Sequence, residues 1–289
     1  MNRPADIRIP APELPFRRRL HRSLLKWYRR EGRELPWREN DDAYAIMVSE
    51  FMLQQTQVAR VREHLPRWLE RFPSIRVLAT ASRRDVILAW SGMGYNRRAL
   101  HLLAAAQVIN REYGGDIPDD PALLQKLPGF GPYTAHAVAC FGFRRRLAMV
   151  DVNIRRVLSR VCGDMETVNL MLPEREAWEL AAALLPQRAF YDWNQALMDL
   201  GALVCTARRP RCGDCPLSTL CASAHRLQDT TDRSHATDRS HASDPVHVGM
   251  VREVPRRIYR GRLIEFLRGR RGHCAPADVA HLHLFGTGN

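Results

Sequence analysis

The sequence predicts an all-α protein. Apolar residues recur at helical spacing from about His21 to about Ser223, turns that contain glycine or proline separate these stretches, and no alternating strand pattern of useful length appears. The predicted helical segments are residues 43–72, 83–92, 97–113, 121–126, 133–143, 154–162, 174–185 and 192–205. With 289 residues, the chain is long enough to bury a full core and to form two lobes.

Three stretches flank this helical core. Residues 1–19 are rich in proline and arginine and are predicted to form a flexible basic arm. Residues 226–248 contain the hexapeptide Thr-Asp-Arg-Ser-His-Ala twice in succession. Because such a polar repeat cannot bury an apolar face, we expect a disordered linker rather than a metal site built from its histidines. Residues 249–289 form a small basic segment, in which 255–271 have the pattern of a basic amphipathic helix.

The charge of the chain indicates a polyanionic partner. The formal net charge is +13 and the isoelectric point is about 10.1, a balance typical of proteins that bind nucleic acids. Residues 1–19 lack the apolar segment of a secretory signal, and no apolar run approaches the length of about eighteen residues that spans a membrane. We therefore expect a cytoplasmic protein, associated with the nucleoid, that has no membrane partner.

Four cysteines near the end of the helical region indicate an iron–sulfur cluster. They follow the spacing Cys205-x6-Cys212-x2-Cys215-x5-Cys221, and four thiolates are the ligand set of a [4Fe–4S] cluster. A structural zinc site usually has two closely spaced pairs of ligands, whereas this run has a single Cys-x2-Cys pair. Disulfides are disfavoured because the chain has the character of a cytosolic protein.

A glycine-rich turn between two predicted helices has the form of an element that binds a phosphate backbone. In the segment Leu-Pro-Gly-Phe-Gly-Pro-Tyr-Thr-Ala of residues 127–135, Gly129 and Gly131 allow a tight hairpin, and Pro132 suits the first turn of the next helix. Exposed N–H groups and the helix N-terminus then face an anion. An ordinary turn is the alternative, but the neighbouring residues and the downstream cysteines favour a helix–hairpin–helix that contacts DNA without reading its sequence.

One carboxylic acid lies within an apolar run. Glu50 is surrounded in sequence by Met47, Phe51 and Leu53, which cover most of the circumference of a helix, so a position on a solvent-exposed face is disfavoured. Burial in an apolar pocket raises the pKa of a carboxyl group and lets it hold a proton at neutral pH. Glu50 is therefore predicted to be a general acid.

A second carboxylate precedes a later helix. Asp151 and Asn153 follow an apolar run, and either residue could simply be the N-cap of that helix, an alternative at least as strong as catalysis when the segment is taken alone. An acid together with a second carboxylate suits cleavage of a glycosidic bond through an oxocarbenium-like transition state. One group would protonate the leaving group, and the other would stabilise positive charge on the sugar or position water.

Together these motifs resemble the helix–hairpin–helix superfamily of DNA glycosylases. The segment Ser-Glu-Phe-Met-Leu-Gln-Gln-Thr-Gln of residues 49–57, with Gly-Met-Gly-Tyr at 92–95, is similar to the adenine DNA glycosylases of the MutY type. The resemblance extends from about Leu35 to Cys221.

The resemblance implies a two-lobed catalytic domain at 20–225. A six-helix barrel lobe is expected at about 36–142, and an iron–sulfur lobe is expected from 20–35 and 143–225. The implied enzyme is a monomer that flips adenine, mispaired with 8-oxoguanine or guanine, out of double-stranded DNA and hydrolyses its N-glycosyl bond. Long members of the family end in a Nudix-like domain that recognises 8-oxoguanine, and since few residues follow the cysteines, a short form is expected.

The resemblance also implies roles for individual catalytic residues. Glu50 would protonate N7 of adenine, and Asp151 would stabilise the oxocarbenium ion. Asn153 would position Asp151 or the water, and Tyr133 would support the reaction centre. Lyase members similar to endonuclease III have a lysine at the position of Tyr133 as a Schiff-base nucleophile. Since Lys126 precedes the hairpin, we expect a monofunctional glycosylase with little or no strand cleavage.

Further roles concern DNA contacts. The resemblance implies that Gln55 and Thr56 contact the base opposite the adenine and that Tyr95 wedges into the base stack, although packing in the core is an alternative for Tyr95. Gln54 belongs to the same polar segment, whose sequence favours adenine as the target base.

Two other functions remain as alternatives. A mismatch-specific thymine or uracil glycosylase shares this scaffold, including a tyrosine in the hairpin, but thymine has no N7 for Glu50 to protonate. A noncatalytic DNA-binding protein that uses the iron–sulfur cluster as a redox sensor requires neither Glu50 nor Asp151.

Overall fold

The computed structural model of the protein describes residues 12–163 and 171–224, and all regular secondary structure in these ranges is helical. The helices in chain order are α1 (Leu14–Glu31), α2 (Ala43–Leu53), α3 (Val58–Arg71), α4 (Ile75–Thr80), α5 (Arg83–Ala89), α6 (Arg97–Glu112), α7 (Pro121–Leu124), α8 (Pro132–Phe143), α9 (Val152–Cys162), α10 (Glu174–Leu184) and α11 (Phe190–Leu203). Short 3₁₀ turns lie at Pro36–Arg38 and Cys212–Asp214. The prediction of an all-α fold is confirmed.

One predicted segment, residues 43–72, forms two helices instead of one. α2 ends at Leu53 and α3 begins at Val58. The backbone of Gln55 has a left-handed conformation with a φ of 57°, which cannot continue an α-helix. The prediction of one continuous helix is therefore wrong, and the break creates a loop at the C-terminal end of α2.

Helix α4 lies outside every predicted segment. It has six residues, too few to show a periodic apolar pattern. Its start is set by Ser74, whose hydroxyl accepts the N–H of Val77 at 3.3 Å.

The first helix begins inside the stretch predicted to be a flexible arm. α1 starts at Leu14, so residues 14–19 are helical and the predicted arm is wrong for this part. The reason is an amphipathic pattern: Leu20, Leu24 and Trp27 are buried on one face of α1, whereas Arg18 and Arg19 are exposed. Residues 1–11, the predicted linker at 226–248 and the basic segment at 249–289 lie outside the described residues.

In residues 12–163 and 171–224 the core consists of two hydrophobic clusters, which agrees with the two-lobed fold. One cluster is built mainly from α2 to α8, and the other from α1 and α8 to α11. Helices α2 and α8 pack against each other and are buried on most sides, as expected for helices that are apolar around their whole circumference. Both helices contribute residues to both clusters. They therefore form the wall between the lobes. None of the helices in the described residues is long and apolar enough to cross a membrane.

Candidate active site

Glu50 lies near the C-terminal end of α2, in the wall between the two lobes. The residue is only 6% exposed. Burial raises the pKa of its carboxyl group to about 7. The charge of Asp151 adds to this increase, whereas a hydrogen bond with Tyr133 and the charge of Arg38 oppose it. The apolar sequence around Glu50 predicts a raised pKa, and the direction of the pKa shift in the structure agrees with this prediction.

Tyr133 lies in the first turn of α8 and interacts with the Glu50 carboxyl group. Burial raises the pKa of the phenol well above its usual value, and the charges of Glu50 and Asp151 raise it further, so Tyr133 is a neutral hydroxyl at physiological pH. The hydroxyl oxygen lies 3.2 Å from Sδ of Met198 on α11. The fold thus brings Glu50, Tyr133 and Asp151 together from three different helical regions.

Asp151 is the N-cap of α9 and also a member of this group. Its Oδ1 accepts the N–H of Ile154 at 2.7 Å, and its Oδ2 accepts a hydrogen bond from Nδ2 of Asn153 at 2.8 Å. Its charge contributes to the raised pKa of Glu50, so the two carboxyl groups interact electrostatically. The two alternatives for Asp151, a helix cap and a site residue, are therefore compatible.

Asn153 connects Asp151 to the segment that contains the first cysteine. Its Oδ1 accepts a hydrogen bond from Nη2 of Arg156 at 2.9 Å. Arg156 also donates to the backbone oxygens of Gly201, at 2.7 Å, and Cys205, at 2.8 Å. No sequence pattern identifies Arg156, because an arginine on an amphipathic helix is ordinarily solvated and its partner Cys205 is 49 residues away in the chain.

A buried ion pair beside Glu50 was also missed. Arg38 donates to both carboxylate oxygens of Asp199 on α11, at 2.7 and 2.8 Å, and Nε of Arg33 donates to the same carboxylate at 2.8 Å. Burial alone would raise the pKa of Asp199, but the hydrogen bonds and the charge of Arg38 outweigh it and hold this pKa below its usual value. No local signal identifies the pair, because Arg38 and Asp199 are 161 residues apart.

The predicted hairpin connects α7 to α8. Gly129 has a φ of +83°, and an added Cβ would lie 2.6 Å from Cβ of His101 and 2.8 Å from Phe51, so only glycine fits. Gly131 has an ordinary φ of −91°, so its backbone conformation does not itself require glycine. No atom lies within 4 Å of an added Cβ at Gly131, so this part of the backbone is open to a ligand.

Two loops meet at the C-terminal end of α2. The α2–α3 loop (Gln54–Gln57) contains three of the predicted DNA contacts: Nε2 of Gln54 donates to Oγ1 of Thr134 at 3.3 Å, the left-handed Gln55 is exposed, and Oγ1 of Thr56 donates to the backbone oxygen of Met93 at 3.4 Å. Met93 lies in the neighbouring α5–α6 loop (Trp90–Asn96).

Tyr95 belongs to the α5–α6 loop and is 56% exposed. Its φ of 45° is left-handed, which is uncommon for a residue other than glycine. An exposed aromatic ring on a constrained backbone disfavours the alternative that Tyr95 is a core residue.

The four cysteines line one cavity together with residues of α9 and α11. Burial raises the pKa of Cys215 to about 12 and that of Cys221 to about 11, and the charges of the other thiolates contribute. Nη1 of Arg160 lies 3.3 Å from Sγ of Cys205. In the described part of the chain, no three His, Cys, Asp or Glu side chains are arranged to hold a single metal ion. Four thiols that face one cavity match the ligand set of an iron–sulfur cluster.

Comparisons with known proteins show the class of protein to which this chain belongs. A family model described as "HhH-GPD superfamily base excision DNA repair protein" matches residues 48–182, and one described as "Iron-sulfur binding domain of endonuclease III" matches residues 205–221. The chain is therefore a base excision repair protein of the helix–hairpin–helix superfamily with an iron–sulfur cluster.

Proteins with similar sequences show the particular family to which this chain belongs. The adenine DNA glycosylase of Mycobacterium tuberculosis is 44% identical over 264 residues, which cover 90% of this chain and 82% of the relative. The adenine DNA glycosylase of Homo sapiens is 41% identical over 215 residues, which cover 71% of this chain and 39% of the relative. The chain belongs to the adenine DNA glycosylase family. Its members are hydrolases of N-glycosyl bonds, so the alternative of a noncatalytic redox sensor is wrong.

Solved structures support the same fold. A thermostable thymine-DNA glycosylase has a TM-score of 0.69 and 30% identity, and the match covers 73% of this chain and 98% of that structure. A trapped endonuclease III–DNA covalent intermediate has a TM-score of 0.63 and 20% identity, with the same coverage.

Proposed function

We propose that the protein removes adenine mispaired with 8-oxoguanine or guanine from double-stranded DNA by hydrolysis, without cleaving the strand. The observation that supports this most directly is the environment of Glu50, a buried carboxyl group with a pKa of about 7 beside Tyr133 and Asp151. At neutral pH a substantial fraction of Glu50 is protonated, as a general acid requires.

Glu50 would protonate the departing adenine, and the resemblance to the family assigns this proton to N7. Protonation turns the base into a neutral leaving group, while the bond between the sugar and the base breaks and positive charge develops on the sugar. A duplex hides both N7 and the glycosidic bond, so the adenine must first be flipped out of the helix into this pocket.

Asp151 would stabilise the positive sugar. Its carboxylate is oriented by the hydrogen bonds from Ile154 and Asn153, so it requires little reorganisation when the charge appears. Asn153 would hold Asp151 in place or position the attacking water. Protonated Glu50 and ionised Asp151 then have complementary tasks.

Tyr133 supports the absence of strand cleavage. A lyase forms a Schiff base through an amine, whereas the residue beside Glu50 is a phenol that stays neutral. Lys126 precedes the hairpin and is exposed. Release of adenine without strand cleavage is therefore expected until the abasic product is treated with alkali.

The DNA contacts would come from the hairpin and from the two loops at the C-terminal end of α2. The hairpin of Gly129 and Gly131 would bind the phosphate backbone through its N–H groups. Gln55 and Thr56 would contact the base opposite the adenine, and the exposed ring of Tyr95 would insert into the stack. The positive net charge of the chain supports binding whose affinity falls steeply with salt.

The iron–sulfur cluster is proposed to be of the [4Fe–4S] type, with Cys205, Cys212, Cys215 and Cys221 as ligands. The proposed chemistry uses no electron transfer, so the cluster would stabilise the loop that holds it. A brown purified protein with four irons per chain would support this type, and a colourless zinc protein would contradict it.

A second candidate is a thymine or uracil mismatch glycosylase, which the 30% identity to a thymine-DNA glycosylase supports. One experiment separates the two. Duplexes that contain A:8-oxoguanine, A:G, A:C, T:G or U:G are incubated with the protein, and strand breaks are scored with and without alkali. Loss of adenine that requires alkali for strand cleavage is expected. Excision confined to T:G and U:G, or strand cleavage without alkali, would contradict the proposal.

A further inference from the structure

A buried arginine joins the two loops that are proposed to contact DNA. Arg98 lies in the first turn of α6 and is 8% exposed. Its Nη1 donates to the backbone oxygens of Phe51, at 3.1 Å, Met52, at 2.9 Å, and Gln54. The last carbonyl groups of a helix have no partner within the helix, so Arg98 satisfies carbonyl groups at the C-terminal end of α2, the first of which follows Glu50 directly in the chain.

The other terminal nitrogen of Arg98 contacts both loops. Nη2 donates to Oγ1 of Thr56 in the α2–α3 loop at 2.9 Å. It also donates to the backbone oxygens of Met93 and Gly94 in the α5–α6 loop, both at 3.2 Å. One planar guanidinium group therefore bonds to both loops and, together with the hydrogen bond between Thr56 and Met93, holds them at a fixed spacing.

Arg98 also contacts the aromatic ring that is proposed to enter the DNA. Its guanidinium carbon lies 5.5 Å from the ring centroid of Tyr95 and 5.4 Å from that of Trp90, within the range of a cation–π interaction. Tyr95 and Gln55 both have left-handed backbones. Such conformations persist where the surrounding contacts hold them, and Arg98 supplies contacts next to both residues.

We propose that Arg98 is a positioning residue that sets how strictly the enzyme discriminates among the bases opposite the adenine. It acts through the α2–α3 loop and Tyr95, and it need not touch the DNA itself. The inference rests on the proposed function, in which Gln55, Thr56 and Tyr95 contact the opposite base and the stack.

Lysine is the informative replacement at this position. It keeps a positive charge at the C-terminal end of α2, where a cation is favourable. It lacks the planar fork that lets arginine bond to several acceptors in fixed directions. Arg98→Lys should therefore still stabilise the C-terminal end of α2 but no longer hold the two loops at a fixed spacing. The matched control is Arg97→Lys, since Arg97 is the exposed neighbour on the same helix.

The experiment uses the full chain with its cluster. Single-turnover rate constants are measured on duplexes with A:8-oxoguanine, A:G and A:C, together with the pH dependence of these rate constants. For Arg98→Lys we expect the preference for A:8-oxoguanine over A:C to fall about tenfold or more, because small misplacements of binding groups have effects of this size. The alkaline limb of the pH–rate profile, which reports on the ionisation of Glu50, should not move. The control variant Arg97→Lys should retain the preference for A:8-oxoguanine over A:C.

A double-mutant cycle tests whether Arg98 acts through Tyr95. In the Tyr95→Ala background, Arg98→Lys should cause a smaller further loss of preference than in the wild type, because part of the effect of Arg98 passes through Tyr95 and the effects of coupled residues are not additive. Additive effects would contradict the proposal.

The outcomes separate the two proposals. If the wild-type protein removes no adenine, the proposed function fails and this inference fails with it. If the wild-type protein discriminates and Arg98→Lys discriminates equally well, only this inference is wrong. Loss of the helical circular dichroism signal or of the cluster absorbance in Arg98→Lys would also overturn it, because Arg98 would then be required by the fold as a whole.

Discussion

The two carboxyl groups of the site have contrasting surroundings. Glu50 lies in a helix that is buried on nearly all sides, and burial is the main cause of its raised pKa. Asp151 lies at the open N-terminal end of α9, where a backbone N–H and the amide of Asn153 donate to its two oxygens. The apolar walls around Glu50 favour the protonated form of its carboxyl group, whereas the donors around Asp151 fix the orientation of its two oxygens. The comparison teaches that the fold gives the same functional group two different environments, which the tasks proposed for Glu50 and Asp151 require.

The largest expected effect comes from removing the proton of Glu50. Glu50→Gln should reduce the single-turnover rate of adenine excision by roughly 10²–10⁴-fold, because the amide cannot act as a general acid. Binding to the mispaired duplex should be retained, since the glutamine has nearly the same shape. Single-turnover assays and gel shifts measure the two quantities. A rate close to that of the wild type would show that Glu50 is not the acid.

Asp151 can be tested for its two tasks separately. Asp151→Asn keeps an oxygen that can cap α9 but removes the charge, so excision should fall by roughly 10²–10³-fold, as for other preorganised electrostatic groups, with little change in stability. Asp151→Ala also removes the cap and should lower the free energy of unfolding by about 1 kcal/mol more.

Rate assays and denaturation curves on both variants of Asp151 distinguish charge from capping. If Asp151→Asn excises adenine normally, the residue is only a helix cap.

Burial of Glu50 should make stability depend on pH. In the unfolded chain its pKa is near 4.5, and in the folded protein it is about 7, so the folded state holds this proton more tightly. Ionisation of Glu50 therefore destabilises the folded protein. This destabilisation is absent below pH 4.5, grows between pH 4.5 and 7, and is complete above pH 7. Glu50→Gln should therefore raise the free energy of unfolding by about 3 kcal/mol at pH 8 and much less at pH 5.

Urea denaturation followed by circular dichroism at both pH values measures this gain. The control is Glu63→Gln, at an exposed position on α3. An equal gain at pH 5 and pH 8 would contradict the link to ionisation of Glu50.

The smallest effect is expected at Tyr133. Burial is the main cause of the raised pKa of Glu50, and the hydrogen bond with Tyr133 opposes it. Tyr133→Phe removes the opposing interaction, so the pKa should rise further and the alkaline limb of the pH–rate profile should shift to higher pH. The profile is compared with that of Tyr113→Phe, a tyrosine at the end of α6. A shift to lower pH would mean that the hydroxyl favours the protonated form of Glu50.

Part of the site was predictable because its signals are local. The cysteine spacing, the hairpin glycine Gly129 and the apolar neighbours of Glu50 are all read within short segments. The break after α2 was missed because the apolar pattern of α2 continues in phase into α3, while the left-handed Gln55 that ends the helix has no distinctive residue type. The buried pair of Arg38 and Asp199 was missed because its members are far apart in the chain.

The sequence by itself determined the helical class, the four cysteines that are proposed to bind the cluster and the residue types that can donate a proton or stabilise a cation. These properties depend on neighbouring residues and on side-chain chemistry. Only the tertiary structure decided that α2, α8 and α9 bring Glu50, Tyr133 and Asp151 together, and that Arg98 joins two loops beside them. The reason is physical: a raised pKa and a shared hydrogen-bond donor arise from contacts through space, which no single segment of the chain contains.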